Sequence, residues 1–444
     1  MEIRDIVADI NISSKTATVA GRIMSVRKMK NYSFCDLVDM SGKIQLIIPV
    51  GQNLPIPSVG DIVLTSGDVV TTQAGRLSIQ SITLEVLSKS NNEVFNAIRS
   101  VSTPGFDIHG HRALNLMVND DLKKMVVARS LFIGIIRDHF KQNDFLEVDT
   151  PVVSYSRFAG TADVFETKSR TLDKSLYLRG TLEDYLKQLV VAGFEKVFQV
   201  GDCFRNESPA LIEFSMLEAT WAYAKSEQML DLIQKLILEL CAKLPDELVN
   251  TEARDELSKP IDVVTFWGVL EDYFKVDIRT QDVDTIRELA KKEGYDYTSE
   301  KNDEYESAKF GYEVIKRTLA KKFDVPTFVG RFPAVISPLA KAIPDGSGEA
   351  DRGYGFFRGQ RLFEVVEEAN DYEEQLNKFQ SQDDRSHNAS HSFKHDDLLS
   401  ALSYGCPPMS GLGFNINRVL AVLLDVNRTS DVMAFPLTSS ALPL

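Results

Sequence analysis

The chain has 444 residues, of which 43% are hydrophobic and 26% charged, and its formal net charge is -14. This length predicts two or more globular domains, and the negative charge argues against wholesale coating of nucleic acid. No apolar run approaches the ~20 residues of a membrane helix, and the first residues lack a signal-peptide pattern, so we expect a cytoplasmic protein with no membrane or DNA partner.

Four cysteines are scattered along the chain without a Cys-x-x-Cys pair, at Cys35, Cys203, Cys241 and Cys406. Such spacing indicates neither a disulfide framework nor a zinc site. We therefore expect reduced and mostly buried thiols.

The first part of the chain contains five strand-like runs separated by turns with glycine, at residues 17–24, 32–39, 43–48, 62–70 and 76–87. Five short strands predict a small barrel. The basic and aromatic first hairpin, with Arg27 and Phe34, suits an OB-fold, whose face stacks single-stranded bases on aromatic rings. A barrel also needs aromatic core residues and charged edges, so a purely structural role is the alternative.

Polar residues at 91–112 predict a linker between a domain at 1–90 and a larger domain at 113–444. Within the larger domain, residues 119–142 have helical spacing, and residues 145–151 read as a strand that ends at a proline. A second helix follows a short strand and carries Glu183 in its first turns, where an acid often serves only the helix dipole. Residues 225–325 are mainly helical by pattern.

Residues 197–221 predict two antiparallel strands joined by a short turn, with Arg205 and Glu207 at its mouth. A surface salt bridge is the alternative interpretation of that pair. The chain ends with an acidic strand at 363–368, a polar loop, and a glycine-bearing stretch at 411–418 that enters a helix. His387, His391 and His395 would align as a metal site on a helix, but their polar surroundings favour a solvated loop.

Residues 145–151, 204–218 and 411–418 resemble, in this order, motifs 1, 2 and 3 of the class II aminoacyl-tRNA synthetases. Within the class the chain is most similar to the lysyl-tRNA synthetases. Its residues 19–27 and 42–46 resemble the anticodon-binding OB-fold of these enzymes. The resemblance implies an α+β fold, in which an N-terminal OB-fold β-barrel at 1–90 precedes a class II catalytic domain at 113–444, with an antiparallel sheet flanked by helices. It also implies a homodimer formed through the motif 1 region.

The resemblance further implies ATP as a substrate, held by residues of motifs 2 and 3. Arg205 would hold the α-phosphate and Arg418 the γ-phosphate, and both would act in catalysis, because guanidinium groups grip phosphate oxygens in bidentate fashion. The remaining ATP-binding positions are Glu207 and Phe214 at the adenine, and Gly411 and Gly413 in motif 3.

Substrate choice would depend on carboxylates that pair with ammonium groups. The amino-acid-binding positions that match the lysine enzymes are Glu183 and Glu368, with Glu218 nearby. Thr220 belongs to the same expected pocket but replaces the Tyr of the family. A buried ammonium without such partners would cost several kcal/mol, so these acids point to a cationic amino acid. Structural or surface glutamates are the alternative, and Glu367 could share the role of Glu368.

The chain departs from the lysyl enzymes at the magnesium site. An ungapped alignment on residues 368–371 puts Tyr354 and Arg361 where the family has two metal-binding glutamates. A shifted alignment offers Glu364 as a single carboxylate ligand for Mg²⁺, which prefers oxygen ligands. Arg361 would otherwise supply the positive charge that magnesium normally brings.

Further departures concern tRNA. The motif 2 turn is shortened to residues 208–212 and lacks the usual Arg-His pair. Asn415 and Asn417 stand where motif 3 usually has Gly and Asp. On the OB-fold the expected RNA-binding residues are Arg27, Phe34, Gln45 and Arg76, the last replacing a base-reading Glu and offering only hydrogen-bond donors.

Three functions follow from these matches and departures. The first is ATP-dependent amino-acid activation, with an aminoacyl-adenylate intermediate and transfer to tRNA, as in a lysine–tRNA ligase. The second is a paralogue that adenylates a lysine-like or other amino acid and passes it to a non-tRNA acceptor. The third is a non-catalytic RNA-binding or regulatory paralogue, which loss of the metal carboxylates would favour.

Overall fold

The computed structural model describes residues 2–8, 15–91, 112–155, 163–206, 212–385 and 396–437. Glu207, the histidines at 387–395 and all but the two ends of the predicted 91–112 linker lie outside these residues. The chain divides into two compact units, residues 1–108 and 109–444, each with its own core.

The first unit is a closed five-stranded barrel with strand order β1-β2-β3-β5-β4. Its strands are β1 (Thr16–Lys28), β2 (Tyr32–Val38), β3 (Lys43–Pro49), β4 (Ile62–Thr71) and β5 (Leu77–Ser88), after helix α1 (Ile3–Ala8). Alternate residues point inward and form the core, including Val19, Leu37, Leu46, Val63 and Ile79. The five predicted strands are confirmed, and β1 pairs with β4 to close the barrel.

The second unit is built on an eight-stranded sheet with order β12-β13-β16-β17-β18-β11-β10-β6. Its strands are β6 (Leu146–Glu147), β10 (Lys196–Phe204), β11 (Glu213–Ala222), β12 (Asp262–Thr265), β13 (Thr327–Gly330), β16 (Arg352–Phe357), β17 (Gln360–Glu367) and β18 (Met409–Asn415). The six strands between the edges are antiparallel, whereas β6 and β12 pair with their neighbours in parallel. Two small sheets comprise β7 (Val153–Ser154), β8 (Glu166–Ser169) and β9 (Lys174–Leu178), and β14 (Phe332–Pro333) and β15 (Glu349–Ala350).

Helices flank the sheet. They are α2 (Arg112–Val118), α3 (Asp120–Gln142), α4 (Glu183–Val191), α5 (Ser226–Lys243), α6 (Thr251–Leu257), α7 (Phe266–Phe274), α8 (Val283–Lys292), α9 (Glu304–Arg317), α10 (Tyr372–Arg385), α11 (Asp396–Ser403) and α12 (Ile416–Leu423). The predicted helix at 119–142 is confirmed, and Asn119 caps it by accepting hydrogen bonds from the first-turn amides. Among the described residues, no helix is long and apolar enough to cross a membrane.

The two faces of the sheet differ in what covers them. One face packs against α3, α5 and α12 in the largest apolar core, which includes Phe132, Phe140, Phe198, Leu236, Leu412 and Phe414. Because successive side chains on a strand alternate between faces, the glycines that flank Leu412 and Phe414 face the other way. That second face carries the candidate site.

Two elements differ from their predictions. The motif 1 strand has only two residues, Leu146–Glu147, beside β10. The polar loop expected before residue 411 contains α10 and α11, because Phe379, Leu398 and Leu402 form a small apolar cluster that joins them. Most other residues of α10 are polar, so the period of its few apolar residues is a weak signal.

Candidate active site

Strands β10 and β11 form the predicted hairpin, with Cys203 opposite Phe214 and Phe204 opposite Glu213. The Arg205 amide donates to the carbonyl of Ile212 at 3.0 Å and continues the pairing to the turn. Residues 207–211 of the turn, including Glu207, lie outside the described part of the chain.

Arg205 lies over the ring of Phe214, the residue that we predict to contact adenine. Its guanidinium carbon is 5.3 Å from the centroid of the Phe214 ring, and its Nε donates to the carbonyl of Gly180 at 3.2 Å. No carboxylate among the described residues forms an ion pair with it. The guanidinium thus has donors left for an anion next to an aromatic surface.

Arg418 is held at the start of α12. The Asn415 side chain accepts a hydrogen bond from the Arg418 amide at 2.9 Å, so this asparagine caps the helix. The Arg418 side chain donates to the backbone carbonyl of Arg361 at 3.1 Å, and no ion pair is formed with the rest of the described chain. Burial, followed by the positive charges of Arg361 and Arg205, lowers the pKa of Arg418 to about 10. The site therefore concentrates cations that favour an anionic ligand.

A network of arginine and tyrosine occupies the predicted metal positions. Arg361 donates to the Tyr312 hydroxyl at 2.8 Å, and its guanidinium lies 4.5 Å from the centre of the Tyr354 ring. Arg352 donates to Glu364 at 2.7 Å and also to the Tyr354 hydroxyl. Burial opposes the charge of Arg352, but Glu364 outweighs it and raises the pKa of that guanidinium.

These residues do not fit a divalent cation. Arg361 is cationic, and the carboxylate of Glu364, the one candidate metal ligand, is bonded to Arg352. In the described ranges, no group of three or more His, Cys, Asp or Glu side chains could hold a metal ion. Tyr354 likewise offers a hydroxyl that already accepts from Arg352.

The predicted amino-acid-binding acids surround a buried lysine. The Lys187 ammonium, on α4, is 2.5 Å from the Glu183 carboxylate and 2.7 Å from that of Glu368. Burial disfavours the Lys187 charge, but the two acids outweigh it and hold the pKa of Lys187 above its ordinary value. Gly411 makes room for Glu368, since a Cβ at this glycine would lie 2.1 Å from a carboxylate oxygen.

Glu218 is the third acid of this pocket. Its carboxylate accepts from the Thr181 hydroxyl at 2.9 Å and from the Leu182 amide at 3.0 Å. Burial, and then the negative charge of Glu183, raises the pKa of Glu218 to about 8. Burial likewise raises the pKa of Glu368, against the attraction of Lys187. Two acids contact the Lys187 ammonium and Glu218 lies near one of them, Glu183, so a further cation in this pocket would favour the ionised carboxylates.

The remaining predicted positions divide between these two regions. Thr220 is buried on β11 opposite Gly411, on the face that carries Glu218. A Cβ at Gly413 would meet only the end of Met216 at 3.6 Å, so this glycine borders open space. Asn417 instead lies in the core and accepts from Arg129.

Sequence reasoning missed Lys187 and Arg352. Lys187 lies four residues after Glu183, a spacing that places both side chains on one face of a helix. Its ion pair with Glu368 joins residues that are far apart in the chain, and no local pattern predicts it. The same holds for Arg352, whose partner Glu364 is on the neighbouring strand.

On the barrel, the predicted RNA-binding residues cluster around strand β2. Arg27 is the cross-strand partner of Phe34, and Arg76 donates to Asp36 at 2.7 Å, two residues further along the same face. Gln45 is buried opposite Asp36 and accepts from the Ser78 hydroxyl at 3.1 Å. The face thus combines aromatic and basic groups, as single-strand binding requires.

Comparison with known proteins agrees with both units. A family model described as class II tRNA synthetases (D, K and N) matches residues 108–439, and an OB-fold nucleic acid binding domain matches residues 17–87. A lysine–tRNA ligase of Clostridium acetobutylicum is 29% identical over 96% of this chain and 85% of its own length. The lysine–tRNA ligase of Idiomarina loihiensis is 32% identical over 94% and 86%. Lysine–tRNA ligase 2 of Methanosarcina acetivorans is 32% identical over 94% and 84%.

These matches confirm the predicted fold, an OB-fold barrel followed by a class II synthetase domain with a mixed sheet and helices. The chain belongs to the class II tRNA synthetase family.

Proposed function

We propose that this protein activates an amino acid with ATP as an aminoacyl-adenylate and transfers it to tRNA, in the manner of a lysine–tRNA ligase. The proposal is supported by arginines that form no ion pair within the described part of the chain, and by an acidic pocket on the same sheet. The similarity to lysine–tRNA ligases supports this choice of reaction. As a working location we propose the cytoplasm.

In the first step, an oxygen of the amino-acid carboxylate attacks the α-phosphorus of ATP, and the bond from that phosphorus to the pyrophosphate oxygen breaks. Arg205 holds the α-phosphate and Arg418 the leaving pyrophosphate, while Phe214 supports the adenine. Glu207 is proposed as the acceptor for the adenine amine. The carboxylate is itself the nucleophile, so the protein contributes position and positive charge rather than a base.

The acidic pocket binds the amino acid. In this proposal Glu183 and Glu218 face the α-ammonium, and Glu368 faces a side-chain ammonium, with Thr220 in the pocket wall. Glu368 can serve both Lys187 and a substrate because an ionised carboxylate has two acceptor oxygens. Burial favours the protonated form of Glu218, so an arriving ammonium displaces a proton when it binds.

The acceptor is proposed to be tRNA, bound in part by the barrel. Arg27, Phe34, Gln45 and Arg76 are the residues that we assign to its single-stranded bases. Magnesium normally accompanies ATP in this class, and Glu364 is its one candidate ligand here.

A second candidate function keeps adenylation but changes substrate and acceptor. It is favoured by Lys187, which already neutralises Glu368, the acid assigned to a side-chain ammonium. A paralogue of this kind would activate an amino acid with a different side chain and pass it to an acceptor other than tRNA.

Pyrophosphate exchange across a panel of amino acids, followed by charging of total tRNA, tests these functions. Exchange with lysine and charging of tRNA supports the proposal. Exchange without charging supports the paralogue. If no amino acid of the panel supports exchange while the protein still binds RNA, the result would indicate the non-catalytic paralogue.

The same assay tests the site. Arg205→Ala should abolish exchange because it removes the α-phosphate donor, whereas the surface variant Arg287→Ala, with its exposed pair to Asp284 on α8, should retain it. Equal activity in both variants would contradict the assignment of Arg205.

A further inference from the structure

We infer that the site binds ATP without a divalent metal, with Arg361 supplying the positive charge that the metal would bring. This inference rests on the proposed function, because it concerns how the same ATP is held. The residues at the metal positions do not fit a divalent cation, because Arg361 is cationic and Glu364 is paired with Arg352, but they fit the triphosphate itself.

The first line of support is charge. Arg205, Arg361 and Arg418 form no ion pair with any carboxylate among the described residues, and all three are partly buried. A cation that is partly withdrawn from water and has no charged partner is stabilised when an anion reaches it. A triphosphate is a polyanion that can compensate all three guanidiniums. Each bound magnesium ion would reduce its charge and leave these cations partly uncompensated.

The second line is geometry. Arg361 is fixed from two sides, by the Tyr312 hydroxyl at 2.8 Å and by the Tyr354 ring at 4.5 Å. The two tyrosine rings stack with centroids 5.7 Å apart, so the support is itself rigid. Neither tyrosine neutralises the guanidinium, and the nearby carboxylate that attracts it, Glu364, is itself paired with Arg352. Arg361 is therefore positioned in advance while its charge stays available, as electrostatic stabilisation of a developing pyrophosphate requires.

The third line is the fate of Glu364. This carboxylate could attract a metal ion if it were unpaired, but Arg352 donates to it at 2.7 Å. Arg352 also contacts the Tyr354 hydroxyl and the carbonyl of Ile336 at 3.1 Å, so its position is fixed. A metal ion would have to displace this partly buried ion pair in order to bind.

Calorimetric titration of the full-length protein with ATP, once in excess EDTA and once with excess Mg²⁺, tests the inference by binding alone. We expect dissociation constants that agree within about threefold. This difference is smaller than a tenfold change, which corresponds to about 1.4 kcal/mol. Binding that requires Mg²⁺ overturns the inference and leaves the proposed function standing. Failure to bind ATP under both conditions overturns both.

Variants locate the charge. Arg361→Gln should weaken ATP binding in EDTA by about tenfold or more, as expected for loss of a charge-assisted hydrogen bond. Arg361→Lys keeps the charge and should recover part of this loss, which a purely structural role would not explain. Arg317→Gln is the control, since it removes an exposed arginine from α9, the helix that carries Tyr312. Equal binding by Arg361→Gln and the control overturns the inference.

Discussion

Lys187 connects two acids that come from different parts of the chain. It lies on α4 with Glu183, whereas Glu368 follows β17, and all but about 1% of the side-chain surface of Lys187 and Glu368 is buried. A buried ion pair contributes little net stability compared with apolar residues of equal size. Removal of one partner, however, leaves the other as a buried charge without compensation. Lys187 therefore compensates the negative charge of the acids in this pocket.

Lys187→Met should lower the free energy of unfolding by about 3–5 kcal/mol, the range found when one partner of a buried pair is removed. Chemical denaturation provides the measurement. Lys235→Met is the matched control, because the exposed Lys235–Asp231 pair is expected to contribute less than about 1 kcal/mol. Adding Glu368→Gln to Lys187→Met should restore part of the loss. If the two single variants are equally stable, Lys187 has no such role.

Glu218 predicts a pH dependence of stability. Its pKa is about 8 in the folded chain against an ordinary value of 4.5, so between these values the folded state holds a proton that the unfolded state has lost. The contribution of Glu218 is therefore complete below about 4.5 and is lost as the pH rises to about 8.

Thermal unfolding of the wild type and Glu218→Gln across this pH range measures the effect. The wild type should lose melting temperature toward alkaline pH more steeply than the variant, because the amide does not titrate. Parallel curves would show that Glu218 keeps an ordinary pKa.

At the scale of elements, the turn from β18 into α12 shows how two departures from motif 3 are accommodated. Asn415 uses its side chain to cap α12. Asn417 accepts from Arg129 at 3.1 Å, but its buried Nδ2 has no partner among the described residues. Burial also lowers the pKa of Arg129, so its charge is only partly compensated. An acid at position 417 would correct both defects.

Asn417→Asp should raise the free energy of unfolding by about 1 kcal/mol, because it removes an unsatisfied donor and gives Arg129 a charged acceptor. Asn417→Ala should instead destabilise the chain, since Arg129 loses an acceptor. Denaturation curves of the three proteins decide the point, and a less stable Asn417→Asp would mean that the cost of burying the carboxylate dominates.

The elements that could be predicted from the sequence are those whose signals are local. Period-two alternation in the barrel strands and in the β10–β11 hairpin, and the capped apolar stripe of α3, are of this kind. α10 could not be predicted because its contacts are made with another helix. The pairs Lys187–Glu368 and Arg352–Glu364 depend on strand and helix placement, which no single stretch encodes.

At the scale of the molecule, a net charge of -14 coexists with a local excess of arginine on one face of the sheet. The overall charge therefore does not determine what the site binds. A second feature at the scale of the molecule is the edge of the large sheet that is formed by β6. This edge strand has only two residues. Near this edge α3 and β6 leave apolar side chains in solvent.

We propose that this surface is the dimer interface expected from motif 1. On α3, Val126 and Val127 are each 37% exposed and Leu131 is 42% exposed. On β6, Leu146 is 50% exposed. Exposed apolar residues that adjoin a short edge strand are a natural site for a second copy of the same surface.

Light scattering coupled to size exclusion should therefore give the mass of two chains for the wild type and of one chain for Leu131→Glu, because a buried charge without a partner opposes association. The matched control is Val276→Glu after α7, which is 38% exposed and belongs to neither α3 nor β6, and it should leave the dimer intact. A dimeric Leu131→Glu protein would place the interface elsewhere. Loss of the dimer in both variants would point to general destabilisation, which the melting temperature of each variant would reveal.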